Sequence, residues 1–206
     1  MAMDAIRAKS RAILAEHGLP APDSLPGLAA KRLRPSEEIL GRLFCLNAVA
    51  AAAYGLDSAT ALSWLHQEQL AGELTQSESR FLEDAQGHRE AFKIQVEGMW
   101  ALAWAVGIAP EIDFWKDCDS YFVTLLPNLK ESESVTRVAS EAKLRTFDQI
   151  VAACDLSYCL HWIIREASLQ RKLTPRDLKQ HVVVERRRAL EWMLSDEAWD
   201  LVSLDT

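Results

Sequence analysis

Apolar residues recur three and four positions apart through most of the chain, the spacing of one buried helix face. The first such stretch runs from Asp4 to His17, with Ile6, Ile13 and Leu14 on its apolar side and Gly18 as the stop. A proline-rich loop near 19–35 follows. Pro35 suits the first turn of a second helix, Glu37 and Glu38 complement its dipole, and Gly55 ends it. Asp57 or Ser58 caps a short amphipathic helix, and Thr75 with Glu78 forms a capping box. "HREAFKIQVEGMWALAWAVG" reads as one long helix stopped by Gly107, with Phe92, Val96, Met99, Ala103 and Val106 at helical spacing. "CDSYFVTLLP" predicts a shorter helix, and 127–145 a polar loop with helical parts. Thr146 and Gln149 open the next long helix; Thr174 as cap and Pro175 at the first position open the last. "HVVVE" is β-branched but continues into an arginine- and leucine-rich helical pattern, so it is assigned to that helix.

These elements predict an all-α fold: a single compact domain over residues 1–206, with two long C-terminal helices packed together. No internal repeat or low-complexity linker marks a boundary. Hydrophobic residues at 49% and charged residues at 26% exclude wholesale disorder. The longest apolar runs, "LFCLNAVAAAAYGL" and "MWALAWAVGIA", are too short to span a bilayer, so no membrane partner is expected. Charges are spread through the first eighteen residues, unlike a signal peptide. Of four cysteines, three sit in apolar helical runs and no short disulfide framework is visible; a cytoplasmic location is expected. The net charge of −7 argues against a nucleic-acid partner and favours a basic protein.

Candidate chemistry gathers in "DLSYCLHWIIREA". There Cys154, Tyr158, His161 and Arg165 form a stripe opposite an apolar face, with Trp162 and Glu166 beside it. His161 could act as a general base, but no nucleophile motif accompanies it, and a core histidine with both nitrogens satisfied is the favoured reading. Cys154 and His161 lie about 10 Å apart along a helix, too far to share one zinc ion. HExxH, paired CxxC, GxGxxG, P-loop and GxSxG patterns are absent, so neither a metal nor a cofactor is expected. In the last helix, Glu185 with Arg188 and Arg187 with Glu191 have the spacing of surface ion pairs. Arg186 falls among Val182, Ala189, Leu190 and Met193 on the apolar stripe, while Arg187 and Arg188 point elsewhere. A buried arginine needs a partner. The expectation is a bidentate pair from Arg186 to a carboxylate of the preceding helix or of the tail, such as Asp205, clamping the tail over Tyr158, His161 and Trp162. Of the seven tryptophans, Trp64, Trp115 and Trp199 lie near predicted element ends and are the candidate interface anchors.

The segments "AILAEHGLP", "LRPSEE", "MWALAWAVG", "DLSYCLHW", "VVERRRALEW" and "WDLVSLDT" occur in this order. Together they resemble the bacterial family called domain of unknown function 4272, over nearly the whole chain from Arg11. The resemblance implies a compact, mainly helical domain with no established reaction or cofactor. It marks Tyr158, His161 and Trp162, then Glu185, Arg186 and Arg187, then Trp199, Asp200, Asp205 and Thr206. The chain departs from that pattern at Ser157, where the family has an aromatic residue, and at Cys159, where it has a basic one.

Two functions stay open. The first is a non-catalytic helical module that binds another protein, of which a toxin-neutralising immunity protein is one concrete form. The second is a small-molecule enzyme or sensor with a polar pocket between the two C-terminal helices, drawing on His161, Arg165, Glu166 and the arginines.

Overall fold

The computed structural model describes residues 3–20, 25–28, 30, 32–84, 89–175 and 178–205. In chain order the helices are α1 (Met3–Glu16), α2 (Ser36–Ala53), α3 (Ser58–Gln67), α4 (Gln76–Asp84), α5 (Arg89–Ile94), α6 (Val96–Ala105), α7 (Thr136–Glu141), α8 (Phe147–Leu169) and α9 (Gln180–Met193). No strand occurs among the described residues, so the fold is all-α. The chain divides into two compact units. One comprises Met1–Leu33, Ile112–Asp117 and Arg145–Thr206; the other comprises Arg34–Glu111 and Cys118–Leu144.

Local signals set most helix ends. Asp57 caps α3 by accepting the Thr60 amide at 3.0 Å. Thr75 and Glu78 exchange hydrogen bonds at the start of α4, as do Thr146 and Gln149 at the start of α8. Gly18 and Gly55 take the positive φ that stops α1 and α2.

Three expectations differ. The stretch read as one helix is broken at Gln95, whose amide bonds back to the Phe92 carbonyl in a tight turn, so that α5 and α6 each pack on α2. The segment after Pro175 does not enter a helix directly. Leu178 closes a turn onto the Pro175 carbonyl and buries its side chain, and α9 begins at Gln180. "CDSYFVTLLP" forms only a short 3-10 turn, Phe122–Leu125.

In the second unit α2 is the hub. It packs against α3, α4, α5 and α6, and its alanine-rich half (Ala48, Ala50, Ala52 and Ala53) is buried, which permits close helix approach. Arg42 reaches from α2 into a buried fork with Glu78, both contacts 2.7 Å. Gly107 lies at φ +77, and a Cβ there would stand 2.9 Å from the Lys143 carbonyl.

In the first unit α8 is the spine, with α1 on one side and α9 on another. Asp155 of α8 is fully buried and takes Arg7 Nη2 at 2.8 Å and Ser10 Oγ at 2.7 Å, which ties α1 down. Cys154 and Cys159 are buried free thiols. Burial pushes Cys159 up to about 11, so it remains a protonated, inert group at neutral pH.

Candidate functional site

α8 and α9 meet along two polar positions of α8, Tyr158 and His161, and one of α9, Arg187. All three are buried. Arg187 repeats with Val183, Leu190 and Leu194 at the spacing of an inward stripe. Its guanidinium therefore enters the interface instead of solvent.

The guanidinium is met on every side. Nη1 donates to His161 Nδ1 at 2.7 Å and to the Leu204 carbonyl at 3.1 Å. Nη2 donates to the Asp205 carbonyl at 3.0 Å, and Nε to Glu191 at 3.1 Å. The plane lies 4.5 Å from the Tyr158 ring centroid, a cation–π contact. Because a guanidinium only donates, His161 Nδ1 is the acceptor and the imidazole proton sits on Nε2. Burial, then the charges of Arg187 and Arg165, hold the His161 pKa down to about 4, so the ring is neutral at pH 7. Its lone pair is consumed by the bond from Arg187. It cannot serve as a general base without breaking that bond.

The tail is held over this seam by its backbone. Leu204 and Asp205 offer carbonyls to Arg187, while the Asp205 side chain turns outward to accept from Ser203 Oγ at 3.0 Å. Val202 is buried, and Trp199 packs edge-on against Trp192 with ring centroids 5.6 Å apart.

Arg187 thus holds the described part of the tail, with backbone carbonyls as its acceptors. Arg186 is buried as predicted, but it donates to the backbone carbonyls of Asp113 and, at 3.0 Å, Lys116. It braces the turn that carries Trp115. Of the carboxylates on the preceding helix, Asp155 is held by Arg7 and Ser10, and Glu166 accepts from Gln170. The two pairs read from spacing are present, Arg187 with Glu191 and Arg188 with Glu185 at 3.4 Å, but Arg187 and Glu185 are buried, so neither is the surface pair expected.

Of the remaining cluster, Trp162 and Glu166 are half-buried and Arg165 is exposed. Glu185 is buried on α9, where burial raises its pKa against the opposing pull of Arg188. The structure therefore brings together Tyr158, His161 and the Asp205 backbone, and adds Arg187. The signal for Arg187 was its place in the series with Val183, Leu190 and Leu194.

Two candidate anchors are core residues. Trp64 is 2% exposed, with Nε1 donating to the Glu133 carbonyl, and Trp199 is buried against Trp192. Both rings are buried despite their positions near element ends. Trp115 is half-buried and stacks on exposed His17, with ring centroids 3.9 Å apart.

The family described as "Domain of unknown function (DUF4272)" matches residues 6–202. No curated protein and no solved structure matches the chain.

Proposed function

For a chain that belongs to this family of unknown function, we propose a non-catalytic protein-binding role, with toxin neutralisation as its concrete form. One observation carries the choice: the histidine of the α8–α9 seam, His161, is spent on holding Arg187. The contact surface lies elsewhere. Tyr121 is 76% exposed and Val123 56%, beside exposed Asp119, on a chain of net charge −7. Tyrosine offers large contact area at low entropic cost and is enriched in binding hot spots, and the neighbouring carboxylate favours a basic partner.

The test is capture and identification of partners from the source cell by the full chain and two variants. Tyr121→Asp with Val123→Ser is expected to lose a basic partner that His161→Asn retains. That partner's on-rate is expected to fall steeply with salt, because exposed charges are screened over about 8 Å at physiological ionic strength. Loss on His161→Asn with retention on the surface variant would refute the proposal. For the toxin-neutralising form, co-expression with the captured partner should restore growth only when Tyr121 and Val123 are intact.

The small-molecule reading draws support from Glu185. Its carboxyl is buried on α9, pushed up by burial, and held by a long 3.4 Å ion pair from Arg188 Nε to Oε2. It predicts that Glu185→Gln abolishes ligand-induced stabilisation while leaving melting of the free protein unchanged.

A further inference from the structure

α8 and α9 run antiparallel. Arg187 meets His161, and further along α9 Glu191 lies close enough to Cys154 to add to burial in raising its thiol. The connection between them therefore stands at the closed end of a helical hairpin. Residues 168–173 are six consecutive exposed positions there. Within them Leu173 is 95% exposed and Leu169 is 75% exposed. Arg165 lies one helical turn before Leu169, and Arg171 and Lys172 separate the two leucines; all three cations are exposed. Between residues 165 and 173 the only carboxylate is Glu166, so this end is locally cationic on a chain that is acidic as a whole.

The backbone reinforces the pattern. The Arg171 amide bonds to the Ser168 carbonyl and the Lys172 amide to the Ala167 carbonyl, a two-bond helix stop that places Arg171 at φ +53. Glycine takes that conformation without steric cost, and arginine does not. A cation thus stands at the apex, where the turn itself favours glycine.

We propose that this hairpin end is a peripheral docking site for an anionic lipid surface. Leu169 and Leu173 enter the headgroup–acyl boundary, and Arg165, Arg171 and Lys172 meet the anionic headgroups. The shape and side-chain types favour lipid over an acidic protein. A convex end carrying isolated leucines buries little against a rigid protein face, whereas a bilayer conforms around it. Protein hot spots favour tryptophan, tyrosine and arginine, with leucine under-represented. The acidic body is no obstacle: charges farther than about 8 Å from the headgroups are screened at physiological salt, so the cations at the contact dominate. The contact is reversible, since two leucines and three cations fall short of a stable anchor.

The experiment is co-sedimentation of the full chain with phosphatidylcholine vesicles, with and without about one-third phosphatidylserine. The expected result is binding to the anionic vesicles and at least about tenfold weaker binding to the neutral ones. Arg171→Gly with Lys172→Gln removes two charges while relieving the positive φ, so the fold is kept. It should weaken partitioning about thirtyfold, with melting unchanged or raised. Leu169→Ser with Leu173→Ser should weaken it about tenfold. Equal sedimentation with both lipids, or an Arg171→Gly, Lys172→Gln protein that partitions like the parent, overturns the proposal. So does capture by immobilised polyglutamate without vesicle binding, which would assign the end to an acidic protein.

Discussion

Replacing Arg187 with methionine keeps most of the side-chain volume and removes the charge and every donor. Four acceptors lose their partner: His161 Nδ1, Glu191 and the Leu204 and Asp205 carbonyls. The two carbonyls lie in a segment that water can reach once it lifts, so their loss costs little. His161 Nδ1 stays in a buried seam, and Glu191, whose side chain is 24% exposed, loses its cation. Breaking a buried pair from one side costs roughly 3–5 kcal/mol, and the partial exposure of Glu191 sets this case near the low end, about 3 kcal/mol. For a chain of this length that corresponds to a drop in Tm of about 6–12 °C. The assay is calorimetric melting together with amide hydrogen exchange at Ser203–Asp205. Arg187→Met should both melt early and deprotect those amides. Arg187→Lys, which keeps the charge but not the fork, should fall between parent and methionine variant. If Arg187→Met melts within about a degree of the parent, with the tail amides still protected, Arg187 is not a clamp.

His161 yields a pH signature. Its folded pKa is about 4 against 6.5 for the free side chain, so the unfolded chain takes up that proton first. The contribution is full above pH 6.5 and is lost as pH falls towards 4, about 3 kcal/mol in all. Subtracting urea-melt stabilities of His161→Asn from those of the parent across this window should isolate it; a flat difference would remove the buried neutral histidine. In the second unit, Arg42→Ala should cost roughly 3–5 kcal/mol because it strands buried Glu78, whereas Arg42→Met with Glu78→Leu should be far milder. Chemical denaturation of the three proteins decides this, and equal losses for single and double variants would contradict it. Gly107→Ala should destabilise by more than about 1 kcal/mol, since it forces a positive φ on alanine and drives Cβ against the Lys143 carbonyl. A melting point equal to the parent's would count against that close approach.

Helix ends were legible from the chain wherever the signal is local. Asp57, the Thr75–Glu78 box and the Thr146–Gln149 box act on amides three residues away, so spacing alone identifies them. The break at Gln95 was not legible, because neither proline nor glycine announces it and both halves pack on α2. Trp64 shows the same limit. Its place near a helix end says nothing of the Glu133 carbonyl 69 residues away that receives its indole proton. The polar seam divides along this line. Helical periodicity places Tyr158 and His161 on one stripe and Arg186 on an inward one, and both placements hold in the structure. Which acceptor each arginine finds is another matter. Arg186 and Arg187 differ by one residue, about 100° around the helix axis. That rotation aims one at the 113–116 turn and the other at His161 and the tail. A guanidinium needs acceptors of any kind, and backbone carbonyls serve as well as carboxylates when the crossing chain presents them. Carbonyls are common to every residue and leave no mark in the sequence, so only the tertiary path of the chain decided where these two buried charges would be satisfied.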